Sequence, residues 1–121
     1  MSDTSSPVPS GTRVVMLSGD LMFASRVKSA AERAGCSFAL GGKLPAGDLN
    51  DVGWVVLDLS TRSGLLPDVV QQCYQRCPGA NLVAYGPHVQ VEKLKAAREA
   101  GVTRVLTNGQ FDAMLPQLFG S

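Results

Sequence analysis

No stretch of the 121-residue chain approaches the ~18 consecutive apolar residues of a membrane span, so no membrane partner is expected. Neither sign of charge is in excess: 11 Lys and Arg face 10 Asp and Glu, a formal net charge of +1. That balance offers no electrostatic footprint for nucleic acid or anionic lipid, and nucleic acid is excluded as an expected partner. Cysteine is scarce as well. Cys36, Cys73 and Cys77 are odd in number and lack metal-ligand spacing, which fits reduced thiols better than a disulfide framework. Residues 1–11 have no basic n-region or apolar h-region. Rich in Ser, Pro and Gly, they read as a disordered tail before one domain at 12–121, and the expected location is cytoplasmic. Also missing are an internal repeat, a G-x-G-x-x-G turn, a full P-loop, a hydrolase triad and a zinc cluster.

What the chain does have is regular alternation. A β-branched run at 13–17 predicts a first strand, and Ser18-Gly19-Asp20 a turn. Leu21, Ala24, Val27, Ala30, Ala31 and Ala34 then recur at helical spacing, with Ser18 or Asp20 as the cap and Gly35 as the stop. Further strands are predicted at 36–40, 54–59, 81–85 and 103–106, and further helices at 65–77, 89–100 and 111–119. Between the second and third strands, Pro45, Gly47 and Gly53 leave room for one helical turn at most. With no hairpin signal anywhere, the pattern predicts an α/β fold with a five-stranded parallel sheet covered on both faces. The doubly wound strand order 2-1-3-4-5 places a switch point between strands one and three.

Asp58 closes the run Trp54-Val55-Val56-Leu57 and is the most informative residue. It delivers a carboxylate to the carboxyl edge of the sheet, where ligands of open α/β folds bind. Ser18, Gly19 and Asp20 are expected across the crevice from it, with Gly86, His88 and Asn108 on the same edge. Asp58 also has a plainer role available, capping the turn that follows. His88, the only histidine, reads as an exposed helix-start side chain, and Cys73 and Cys77 as small core residues. Gly41-Gly42-Lys43 offers backbone amides and an ammonium to an anion, but without the full P-loop pattern a flexible loop is the stronger reading.

From residue 13 to 119 the chain resembles a two-component receiver domain, a flavodoxin-like fold. The resemblance rests on the order and spacing of strands, on Asp58 at the end of strand three, and on Leu94-Lys95-Ala96-Ala97-Arg98-Glu99-Ala100-Gly101-Val102 before the last strand. It implies Asp58 as the phospho-acceptor position. It also implies an acidic pair that holds Mg²⁺ after strand one, a Ser or Thr ending strand four, a Lys ending strand five and a Pro soon after the acceptor. Those positions fall on Ser18-Gly19, Gly86, Asn108 and the run Leu59-Ser60-Thr61-Arg62. The acceptor is kept and its machinery is not.

The expected function is therefore that of a pseudo-receiver: a non-enzymatic signalling or protein-interaction module, without cofactor and not phosphorylated by the Mg²⁺-dependent route. Two alternatives stand beside it. One is an atypical phospho-receiver using Asp58, with Asp20 and Asp58 as Mg²⁺ ligands. The other is a small-molecule or anion sensor at the Gly-rich edge formed by Ser18-Gly19, Gly41-Gly42, Gly86 and Asn108-Gly109. The expected partner is a protein, a second copy included. Its docking face is placed on the last helix–strand–helix unit, where some of Phe111, Met114, Leu115, Leu118 and Phe119 are expected to stay exposed.

Overall fold

The computed structural model describes residues 12–120, so the tail expected at 1–11 lies outside the described residues. The strands are β1 (Arg13–Leu17), β2 (Ser37–Gly41), β3 (Val52–Asp58), β4 (Asn81–Gly86) and β5 (Arg104–Thr107). They form one sheet in the order β2-β1-β3-β4-β5, and every neighbouring pair is parallel. The helices are α1 (Leu21–Arg33), α2 (Leu59–Arg62), α3 (Asp68–Arg76), α4 (Val91–Glu99) and α5 (Asn108–Leu118). None of these helices is long and apolar enough to cross a membrane.

The two faces of the sheet are built from different materials. On the α1–α5 face, alternate strand residues Val14, Met16, Val56, Val83 and Tyr85 meet Val27, Phe111, Leu115 and Phe119. On the other face, Val15, Leu17, Val55, Leu57 and Ala84 meet Val69, Val70, Cys73, Leu94 and Ala97. The chain has only seven aromatic residues, and six of them (all but Tyr74) lie in or against the α1–α5 layer. That layer is therefore thick enough to absorb a large part of α5.

Gly35 and Gly101, just beyond α1 and α4, adopt φ of 84° and 104°, the left-handed geometry that a helix stop needs and side chains resist. The helix expected at 65–77 forms as α3 but starts only at Asp68, and two elements that were not expected precede it: α2 and a 3₁₀ turn at Ser63–Leu65. Pro67 explains the late start, because it has no N–H and keeps the preceding Leu66 out of helical geometry, at ψ 146°. Pro116, by contrast, sits inside α5 without ending it.

No helix forms between β2 and β3. The loop is held instead from outside. The Arg76 guanidinium donates to the carbonyls of Pro45 and Gly47, and Arg13 pairs with Asp51 and donates to the Asp48 carbonyl. Leu44 and Leu49 from this loop are buried in the α3–α4 layer. Where a crossover helix would lie, a groove of about 560 Å³ remains between Lys43, Leu44 and Ala46 on one side and Leu65, Val69 and Gln72 on the other.

Candidate functional site

The β1–α1 turn, the end of β3 and α2 meet at the carboxyl edge around Asp58, which is only 2 % exposed. Asp58 is in extended geometry and is the N-cap of α2, its Oδ1 accepting from the Ser60 N–H at 3.0 Å. The capping role is thus present, and it uses one of the two carboxylate oxygens. The other, Oδ2, accepts from two hydroxyls: Ser18 Oγ at 2.7 Å and Thr61 Oγ1 at 2.9 Å. Each hydroxyl accepts in turn from the β1–α1 turn, Ser18 Oγ from the Asp20 N–H and Thr61 Oγ1 from the Gly19 N–H, both at 2.9 Å. The carboxylate is thereby the centre of a closed clamp joining two loops that are distant in sequence.

Asp20 faces away from this clamp in function. Its Oδ1 accepts from the Phe23 N–H at 3.1 Å and caps α1. Above the clamp lies a cation. A Cβ built on Gly19 would sit 3.5 Å from both terminal nitrogens of Arg62, and one on Gly42 3.5 Å from Nη2. A Cβ at either position would thus be in ordinary contact with the guanidinium, which lies beside both glycines and donates to the Thr61 carbonyl. At the end of β4, Gly86 is packed under the same helix, because a Cβ there would lie 3.2 Å from Leu59 Cβ. A side chain at 86 would require Leu59 to shift by a few tenths of an ångström.

Tyr85 adds a buried polar group next to the clamp, on the α1–α5 face of the sheet. It is in register with Asp58, stacks on Phe111 at 4.3 Å between ring centroids, and meets the edge of Phe23. Burial, and then the Asp58 carboxylate, push its hydroxyl well above the ordinary phenol range. The hydroxyl lies beside Ser18 but makes no hydrogen bond of ordinary geometry.

The expected edge residues divide into two groups. Ser18, Gly19, Asp20 and Asp58 come together, and Gly86 packs beneath them. His88 and Asn108 are exposed and take no part in the clamp; Asn108 is the first residue of α5, behind the Thr107–Gln110 capping box. Thr61 and Arg62 are the participants that sequence reading passes over. Their signal is local: a strand-end Asp caps a helix whose third residue can return a hydroxyl.

The apolar patch expected on α5 requires correction. Phe111, Leu115, Leu118 and Phe119 are buried and Met114 is partly buried. Tyr85 stacks on Phe111 and Trp54 packs edge-on against Phe119, so the aromatic layer takes in what a narrow stripe would leave outside. The exposed large apolar residues are elsewhere, with Leu21 and Met22 opening α1 and Val89 and Val91 around the start of α4.

Comparison with protein-family models gives no match, and comparison with curated proteins gives none either. Solved structures do match. A response regulator receiver domain protein from Clostridium thermocellum has a TM-score of 0.65 at 12% identity, covering 90% of this chain and 94% of that one. The receiver domain of the Saccharomyces cerevisiae response regulator Ssk1, solved with the histidine phosphotransfer protein Ypd1, gives 0.64 at 12%, covering 92% and 90%. The beryllofluoride-activated NtrC4 receiver domain dimer gives 0.61 at 15%, covering 88% and 95%. At such identities the likeness establishes the fold: this chain has the receiver fold.

Proposed function

We propose that the chain is a pseudo-receiver, a non-enzymatic signalling module that associates with a protein partner in the cytoplasm and does not transfer phosphoryl groups at Asp58. One observation carries the reading: both oxygens of Asp58 already accept hydrogen bonds from within the protein. A carboxylate that is to receive a phosphoryl group needs a free oxygen and a cation to offset repulsion between anions. Here the Oδ2 lone pairs point at two hydroxyl protons.

Mg²⁺ does not fit the residues present. It demands a near-octahedral shell of oxygen ligands, commonly from one or two carboxylates. Asp20 uses its Oδ1 to cap α1, Ser18 and Gly19 bring no carboxylate, and the Arg62 guanidinium lies beside Gly19 and Gly42. A fixed organic cation and two hydroxyls stand where the receiver resemblance implies metal and acid pair. The site has the character of a structural clamp, so a signal through this domain would travel by association.

Two of the similar structures, a receiver bound to a phosphotransfer protein and a receiver dimer, support protein partners for this fold. A partner face on α4, β5 and α5 remains part of the proposal. With the large apolar side chains of α5 turned inward, its apolar contacts would come from Val89 and Val91. Isothermal titration of the purified chain with Mg²⁺ tests the reading. Dissociation in the millimolar range or weaker is expected, and a micromolar constant abolished by Asp58→Asn would return Asp58 to phospho-receiver chemistry.

A further inference from the structure

The two edges of the sheet are finished differently. β5 is four residues long, opens on the exposed Arg104 and runs straight into the capped start of α5. β2 carries no charge and no proline, and its pairing with β1 has no bulge. Charge, proline and bulges are the usual protections of an edge against another strand. β2 has none of them, and the loop that follows it forms no covering helix.

The ladder to β1 identifies the groups left on that edge. The Ser37 N–H donates to the Thr12 carbonyl, and the Gly41 carbonyl accepts from the Ser18 N–H. Ser37, Ala39 and Gly41 thus turn their backbone groups inward, and the alternate residues Phe38 and Leu40 turn theirs outward. No turn, loop or cap among the described residues supplies a partner for those groups. The side chains of Phe38 and Leu40 lie on the α1 face, opposite Val14 and Met16, and Leu40 is 38% exposed.

We propose that β2 pairs antiparallel with β2 of a second copy of this chain, about a two-fold axis at Ala39, joining two sheets into one. The register follows from the backbone. Phe38 faces Leu40 of the second copy, and Leu40 faces its Phe38. Each such pair exchanges two N–H···O=C bonds, so every outward group of the strand is used. The same register sets a Phe beside a Leu twice on the α1 face, a favourable cross-strand pair.

Charge selects a second copy as the occupant. α1 lies over β1 and β2, and one of its flanks meets α5 through the Arg26–Asp112 ion pair. The opposite flank, above the free edge, carries Lys28 and Glu32, both exposed and one helical turn apart. A two-fold axis reverses the order of these charges in the second α1, which directs each Lys28 toward a Glu32 of the other copy. The interface is isologous and lies on the edge farthest from α4 and β5, leaving that face free.

Sedimentation equilibrium of the full chain tests this. A concentration-dependent monomer–dimer equilibrium in the micromolar range is expected. Leu40→Lys places a charge on the edge, and Leu40→Pro removes only an outward N–H; both should give monomer with unchanged circular dichroism. Lys28→Glu should weaken the dimer about fivefold, and adding Glu32→Lys should restore it. A chain that stays monomeric up to about millimolar concentration overturns the proposal. So does a dimer that survives Leu40→Lys, or a charge exchange that fails to restore association.

Discussion

Ser18 donates its hydroxyl proton to Asp58 Oδ2 at 2.7 Å, across the carboxyl edge of the sheet, and both residues are almost fully buried. This bond, with its Thr61 counterpart, makes Asp58 a structural hub as well as a helix cap. Sequence alone favours Asp58→Asn as nearly neutral, since Asn caps a turn well. The clamp predicts otherwise. An Asn amide can serve Ser60 or the two hydroxyls with an acceptor, but not both. Loss of stability by about 1–3 kcal/mol is expected in urea unfolding, with m unchanged. A change below about half a kcal/mol would mean that the clamp contributes nothing beyond the cap.

Tyr85 gives the opposite kind of prediction. Its hydroxyl is buried beside Ser18 with no hydrogen bond of ordinary geometry, whereas its ring is fully used against Phe111 and Phe23. Tyr85→Phe keeps the ring and removes the unsatisfied group, and stabilisation by up to about 1 kcal/mol is expected. Destabilisation by more than that, measured by the same unfolding curve, would show that the hydroxyl is bonded into the Asp58 clamp.

The buried thiols are expected to lower stability at alkaline pH. Burial, followed by the neighbouring Cys77, pushes Cys73 from an ordinary 9.0 up to about 12. Burial also raises Cys36 and Cys77. Below pH 9 the Cys73 thiol is protonated in both folded and unfolded chains, so its contribution to stability is fully present. Above pH 9 the unfolded thiol ionises first, the unfolded state binds fewer protons, and stability falls until the folded thiol ionises near 12. The melting temperature should therefore be level to about pH 9 and decline above it. Cys73→Ala should decline less steeply, whatever its starting value; equal slopes would remove Cys73 as a cause.

Much of the fold was legible because alternation of strand and helix is written in local patterns. Strand order, the parallel sheet and the place of Asp58 all follow from it. What stayed hidden depended on contacts between distant segments. The burial of Phe111 and Phe119 requires Tyr85 and Trp54, which no helical wheel of α5 contains. The late start of the helix expected at 65–77 was open to reading, since Pro67 was in view, but the apolar spacing of Leu66, Val69 and Val70 outweighed it. At the site, spacing brought Ser18 and Asp58 to one edge. It did not reveal that Thr61 would close the clamp or that Arg62 would lie over Gly19 and Gly42. Long side chains choose among neighbours only once the loops are in place.

The central claim is that Asp58 is a clamped carboxylate and not a phospho-acceptor. Incubation of the full chain with acetyl phosphate and excess Mg²⁺, followed at once by intact-mass measurement, tests it most directly. The clamp predicts an unchanged mass for the native chain and for Asp58→Asn alike. A mass gain of one phosphoryl group in the native chain, dependent on Mg²⁺ and absent from Asp58→Asn, would contradict it.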